Sequence, residues 1–303
     1  MLRLHINDPI AEDAYKILQD SGKFEITMEH LDKDKLIELI PEIDILLVRS
    51  ATKVTRDIIE SGERLKIIAR AGTGLDNIDT KAAEEKNIKI LNTPGANSIS
   101  VAELTIGLMI AASRYIPQGT QSLKEGKWEK KKLKGFELFQ KKLGIIGYGK
   151  IGREVAKRAK AFGMEILVYD VVKPESAEDF IKFVEFEELA KTSDYITLHV
   201  PLNDATKHMI DEHVFEIMKD EAILINASRG GIVNEEALYN ALTSGKLRAA
   251  ALDVFEVEPP NDELRKKLLN LENVIATPHI GASTVEAQKR VGIEIAKRII
   301  ENV

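Results

Sequence analysis

The apolar run Leu143–Ile146 leads at once into Gly147-Tyr148-Gly149-Lys150-Ile151-Gly152, and a helical pattern follows over Arg153–Phe162. A strand that turns on glycines into a helix belongs to a βαβ unit, which commits the chain to an open parallel sheet. Glycine at the first position allows the tight turn, and the next lets a pyrophosphate approach backbone N–H groups at the positive end of the helix. Glycines also mark ordinary turns, so the surroundings decide. A second strand, Ile166–Tyr169, ends at Asp170. A carboxylate there accepts hydrogen bonds from both ribose hydroxyls and repels an additional phosphate. Val171 and Val172 supply no neighbouring cation. The expected ligand is NAD(H) rather than NADP(H).

Similar alternation fills the rest of the chain. Leu2–Ile6, Phe24–Met28, Ile43–Val48, Leu65–Ala69 and Ile88–Leu91 read as strands, with helical patterns near Ile10–Asp20, Lys33–Leu39, Thr55–Ser61 and Thr80–Lys86 between them. A long helix apolar nearly all round follows over 98–116, with Ser100 and Glu103 spaced as a capping box and a start at Ser98 equally compatible. The polar, basic stretch 119–140 around the single Trp128 reads as an arm. Six further strands are expected at Leu143–Ile146, Ile166–Tyr169, Tyr195–Leu198, Ala222–Ile225, Ala249–Leu252 and Val274–Thr277. The fold class is therefore α/β, with two open doubly wound parallel-sheet domains. At 303 residues the chain also exceeds a usual single core. The last helix, Thr284–Ile300, has no strand after it and is expected to return to the first domain. That divides the chain into 1–97 with 284–303, and 98–283.

Composition narrows the partners. A 30% share of charged residues excludes a membrane protein, and the longest apolar helix core, Leu104–Ala112, is too short to span a bilayer. The net charge of -6 offers no basic face for nucleic acid. Cysteine is absent, so no disulfide or zinc–thiolate site exists, and no metal site is expected. The N-terminus lacks the apolar core of a signal peptide, which makes the cytoplasm the expected location.

Three polar residues follow predicted strands: Arg229 in NASRGG, Glu258 in FEVEPP and His279 in TPHIGA. A hydride leaving an alcohol carbon requires that the hydroxyl proton pass to a base within hydrogen-bond reach. Imidazole titrates near neutrality and serves in both directions. A carboxylate on its other nitrogen fixes tautomer and ring orientation, which is the part Glu258 fits. A guanidinium clamps a substrate carboxylate with two parallel bonds, the part of Arg229, and its flanking glycines would let backbone approach a ligand. Of the six histidines, His199, also at a strand end, is the rival of His279.

At these residues the chain resembles the D-isomer-specific 2-hydroxyacid dehydrogenases. The matching segments are VRSATKVT, ARAGTGLDNID, NTPGANSIS, GIIGYGKIGREVA, NASRGGIVNE, AALDVFEVEPP and TPHIGAST. The resemblance implies a flavodoxin-like substrate domain and a Rossmann NAD-binding domain with a cleft between them. It implies that Arg229, Glu258 and His279 are catalytic and that Asp170 binds ribose. Gly149, Lys150 and Ile151 would meet the pyrophosphate, Gly147 and Gly152 would complete the cofactor-binding turn, Asp253 would approach the nicotinamide carboxamide, and Thr73 would also contact the cofactor. It further implies a homodimer through the NAD-binding domain, with a cation from the arm near Trp128 reaching the neighbouring subunit. Lys130, Lys131 and Lys132 stand there in place of an arginine.

A phosphorylated substrate has two anionic ends, of which Arg229 holds one. Arg49, Arg70 and the turn Gly72-Thr73-Gly74 are the expected further contacts, with Lys53 a weaker one. The expected reaction is oxidation of 3-phosphoglycerate to 3-phosphohydroxypyruvate with NAD, the first step of phosphorylated serine synthesis. A glyoxylate or hydroxypyruvate reductase and an NAD(H)-sensing corepressor are the alternatives. Larger family members carry a serine-sensing C-terminal domain. This sequence ends at Val303, so no allosteric inhibition by serine is expected.

Overall fold

Strands covered on both faces are predominantly apolar, as in ILLV, YITL and AILIN, whose buried polar residues are Thr197 and Asn226. The computed structural model describes residues 1–174, 176 and 178–303. It comprises two units, Met1–Asn97 with Ala282–Val303, and Ser98–Gly281.

The first unit contains β1 (Leu2–Ile6), α1 (Glu12–Asp20), β2 (Phe24–Met28), α2 (Lys33–Leu39), β3 (Ile45–Val48), α3 (Arg56–Ser61), β4 (Ile67–Arg70), α4 (Thr80–Glu85) and β5 (Lys89–Leu91). Its sheet has the order β2-β1-β3-β4-β5 and every pairing is parallel. Successive side chains of β3 serve opposite cores. Ile45 and Leu47 join Leu4, Leu18, Ile295 and Ile299 on one face, while Leu46 and Val48 join Leu36, Ile58 and Ala83 on the other.

The second unit begins with α5 (Ser98–Arg114) and α6 (Ile116–Lys124). It continues through β6 (Lys142–Ile146), α7 (Lys150–Ala161), β7 (Glu165–Tyr169), β8 (Ile181–Phe183), α8 (Phe186–Thr192) and β9 (Tyr195–Leu198). Then come α9 (Glu212–Ile217), β10 (Ala222–Asn226), α10 (Glu235–Thr243), β11 (Leu247–Leu252), α11 (Glu263–Leu269) and β12 (Val274–Ala276). The seven-stranded sheet has the order β12-β11-β10-β9-β6-β7-β8, again all parallel. Ile223 and Ile225 of β10 meet α5 residues Leu108 and Met109 on one face, and Leu224 meets Leu238 and Phe255 on the other.

Two elements depart from the sequence expectation. The set of six strands becomes seven, because β8 is an edge strand of three residues and too short to show a period. The arm is helical over its first part: α6 carries Gly119 and only sparse apolar residues, which hides its pattern. The long apolar helix starts at Ser98, the earlier of the two registers. No single helix among the described residues is long and apolar enough to cross a membrane.

The final helix, α12 (Val285–Glu301), belongs to the first unit and packs along α1. Its Ile295 is fully buried in that unit's core. Ile295→Ala should therefore cost roughly 2–5 kcal/mol of stability, read as a lower denaturation midpoint. A loss below about 0.5 kcal/mol would show that α12 only decorates the surface.

Candidate active site

In the second sheet β6 has β7 on one side and β9 on the other, so the strand order reverses there. Open α/β sheets bind ligands outside the carboxyl ends of their strands at such a reversal. Because all seven strands run in parallel, the turns after β6, β9, β10, β11 and β12 share that edge. They carry the glycine turn, His199, Arg229, Glu258 and His279.

The glycines of the first turn divide their work. Gly147 has φ 96°, and a Cβ on it would lie 2.5 Å from the carbonyl oxygen of His199. A Cβ on Gly152 would lie 2.2 Å from the Gly147 carbonyl, so the helix sits hard against the strand. Gly149, the N-cap of α7, instead faces space with no protein atom within 4 Å of its absent Cβ. The N–H groups of Lys150, Ile151 and Gly152 lie in the first turn of α7, at its positive end. Asp170 accepts from Tyr148 N–H at 2.6 Å and from Val172 N–H at 2.9 Å, which ties the end of β7 to the glycine turn. Each carboxylate oxygen keeps a further lone pair for a ribose hydroxyl. An open anion cradle beside a carboxylate fits a dinucleotide without a 2′-phosphate.

His199 sits beside this turn but does not carry protons near neutrality. Its Nε2 lies 3.0 Å from Thr197 Oγ1, and burial pushes the imidazole down to about 3. It is a neutral packing histidine, and its rivalry with His279 ends there.

Arg229, Glu258 and His279 come together. His279 Nδ1 lies 2.8 Å from Glu258 Oε2, and Phe255 N–H donates to the other carboxylate oxygen at 3.1 Å. The Nε2 edge of the half-exposed His279 side chain is left for a ligand. The hydrogen bond that His279 donates to Glu258 raises the imidazole above its ordinary value; burial and the charge of Arg229 oppose this, while the charges of Glu258 and Asp253 add to it. Burial works against ionisation of Glu258, yet the His279 bond, the Phe255 N–H and the charges of His279 and Arg229 hold it below the usual carboxylate range. Arg229 is thus near enough for its charge to act on both partners.

Backbone contacts explain the convergence. A Cβ on Gly230 would fall 1.8 Å from the carbonyl oxygen of Phe255, so the Arg229 turn abuts the start of the Glu258 loop. Gly230 is expected from the sequence to admit a ligand, but the space beside it is filled by the protein's own main chain. Asn226, which the sequence reading passed over, braces the turn by donating to the Arg229 carbonyl at 2.9 Å and accepting from Ser228 N–H at 3.1 Å. The buried Asp253 carboxylate accepts from Thr277 Oγ1 at 2.6 Å and from Ile280 and Gly281 N–H, each at 2.8 Å. It therefore pins both sides of His279, which adopts φ 51°.

The first unit holds the other expected contacts at the carboxyl ends of its own β3 and β4. Arg49 N–H donates to the buried Asp8 at 2.6 Å, and its guanidinium reaches the Pro9 carbonyl at 3.1 Å. Asn77 donates to the carbonyls of Arg49 and Thr52, each at 2.7 Å, and accepts from Arg70 Nε at 3.3 Å. One amide thereby ties the two arginines together, a link invisible in the sequence. Gly72 and Gly74 flank Thr73, whose hydroxyl donates to the Thr93 carbonyl and Asn97 Oδ1 at 3.2 and 3.0 Å. Lys53 is exposed.

Known proteins resemble this chain over most of its length. Residues 106–281 match the family model described as D-isomer specific 2-hydroxyacid dehydrogenase, NAD binding domain. A hydroxypyruvate reductase of Thermotoga maritima is 59% identical over 99% of this chain and 98% of its own length. A D-3-phosphoglycerate dehydrogenase of Methanocaldococcus jannaschii is 55% identical over 99% of this chain, which spans 57% of that relative. Among solved structures, D-lactate dehydrogenase from Aquifex aeolicus, complexed with NAD and lactic acid, superposes with a TM-score of 0.85. It is 31% identical and covers 98% of this chain and 94% of its own.

The raised imidazole gives a sign to the pH dependence. If His279 accepts the hydroxyl proton, kcat/KM for oxidation should rise with pH through a limb above 6.5, the ordinary value, and reduction should fall through it. Glu258→Gln removes the largest raising influence and should move the limb to lower pH. An unmoved limb in pH-rate profiles would detach Glu258 from the titrating group.

Proposed function

The chain belongs to the D-isomer specific 2-hydroxyacid dehydrogenase family of NAD-dependent enzymes, and we propose that it oxidises 3-phosphoglycerate to 3-phosphohydroxypyruvate, as a D-3-phosphoglycerate dehydrogenase. The observation that carries the choice of substrate is the pair of arginines, Arg49 and Arg70, joined through Asn77. A substrate with a single carboxylate is served by Arg229 alone. A second, dianionic end calls for further guanidinium groups, which read phosphate bidentately.

NAD, when bound, supplies the acceptor for the hydride leaving the hydroxyl-bearing carbon. The protein's own groups handle everything else. Arg229 holds the substrate carboxylate beside that carbon and polarises the adjacent oxygen. His279 Nε2 takes the hydroxyl proton as the carbonyl forms, while the Nδ1 contact with Glu258 keeps the imidazole in one tautomer and stabilises its protonated form. In reduction the same imidazolium returns the proton. The N–H groups of Lys150, Ile151 and Gly152, beside Gly147 and Gly149, would hold the pyrophosphate, and Asp170 would take the ribose hydroxyls.

A second reading, reduction of unphosphorylated hydroxypyruvate, has its own support. The Thermotoga maritima relative of that name is 59% identical and is spanned almost in full. In either case we place the enzyme in the cytoplasm as a homodimer formed through the second unit. The exposed apolar side chains Ile116, Leu123, Trp128 and Phe139 on that unit support the dimer.

A substrate panel separates the readings. The phosphoglycerate assignment predicts higher kcat/KM for 3-phosphohydroxypyruvate than for hydroxypyruvate. It also predicts that Arg49→Ala lowers the former by about 10–10²-fold, the worth of a charged hydrogen bond, while sparing the latter. Equal losses on both substrates, or a wild-type preference for hydroxypyruvate, would transfer the assignment to the reductase.

A further inference from the structure

Glu258 lies on a loop between Phe255 and Asp262, and a network outside the catalytic groups grips that loop. Arg265 of α11 is 9% exposed, and its guanidinium meets three carboxylates: Glu235 at 2.7 Å, Asp262 at 3.0 Å and Glu256 at 3.2 Å. Glu235, the first residue of α10, is 4% exposed and accepts the main-chain N–H of Glu256 at 2.7 Å through its other oxygen. His208 Nε2 lies 3.0 Å from the second oxygen of Glu256. Main chain and side chain of Glu256 are therefore both fixed, two residues before Glu258.

Buried ion clusters are poor sources of stability, since well-packed apolar residues of similar volume usually serve as well or better. What such a cluster does supply is direction, because a guanidinium fork donates and a carboxylate accepts at preferred angles. Here three of the charged groups, Glu256, Asp262 and Arg265, flank or close the Glu258 loop, and the fourth, Glu235, anchors it to α10. The opposite side of the loop is held by the Gly230–Phe255 backbone contact. Glu258 itself is hydrogen-bonded to the Phe255 N–H and the His279 ring. Its aim at His279 depends on the loop being held from both sides.

We propose that Arg265 and Glu235 are positioning residues for proton transfer, holding the 255–262 loop so that Glu258 stays within hydrogen-bond distance of His279. The proposal rests on the reading of His279 as the proton carrier. The charged groups facing His279 are Glu258, Asp253 and Arg229; those facing Arg265 are Glu235, Glu256 and Asp262, with His208 behind Glu256.

Arg265→Met tests it. The expected result is a loss of kcat/KM on the order of 10²-fold, as for a catalytic group displaced by about an ångström, with NAD affinity retained. The pH limb should shift downward, toward its position in Glu258→Gln. A purely structural arginine would lower the melting temperature and leave the limb in place. Glu256→Gln, which keeps the main-chain bond to Glu235 but removes one carboxylate from Arg265, should shift the limb in the same direction by less, and it serves if Arg265→Met does not fold. Lys267→Met on the same helix, whose side chain pairs with the exposed Glu263, is the unshifted control. A limb at the wild-type pH in both cluster variants, with rates within about twofold, overturns the proposal. A wild-type limb that persists in His279→Gln overturns instead the reading of His279, so the two failures are told apart.

Discussion

The 2.8 Å contact between His279 Nδ1 and Glu258 Oε2 determines what the second unit can do chemically. An imidazole alone titrates near neutrality but rotates, exchanges tautomers and presents either nitrogen. Bonded to a carboxylate through Nδ1, it keeps Nε2 outward and favours the protonated form. Arg229 sets a limit on that preference, since its charge pulls the imidazole the other way. The balance leaves a group able to take a proton in one direction of the reaction and return it in the other.

Neither partner is near the other in sequence, so the contact has to be built by the sheet. Seven parallel strands deliver their following turns to one edge, and strand spacing brings neighbouring turns within side-chain reach. Adjacent strands β10, β11 and β12 supply Arg229, Glu258 and His279 in that order. The final ångströms come from backbone contacts: Gly230 against Phe255, and the Asp253 carboxylate against the residues on either side of His279. Across the order reversal, β6 delivers the glycine turn and β7 delivers Asp170, so dinucleotide groups and proton-transfer groups share an edge while drawing on different strands.

Much of this was legible in the residues themselves. Central strands such as Ile45–Val48 declare themselves because burial on both faces favours an unbroken apolar run. The strand, glycine turn, helix and terminal acid of 143–170 form one pattern whose parts have separate physical reasons. The edge strand β8 and helix α6 escaped because edges and exposed helices tolerate polar residues, which erases the period. Gly230 was legible as important but not for its reason, since nothing local announces a main chain arriving from Phe255. Pairings such as Asn77 with Arg49 and Arg70, or Arg265 with Glu235, join side chains from separate elements and exist only once the sheet has placed them.

The account stands or falls on His279 as the group that moves the proton. The most direct measurement is steady-state turnover of His279→Ala beside its affinity for NAD. Loss of the base should reduce kcat by roughly 10²–10⁴-fold while NAD binding is unchanged, because the glycine turn and Asp170 lie on other strands. A variant that turns over 2-hydroxy acid at close to the wild-type rate would contradict the mechanism.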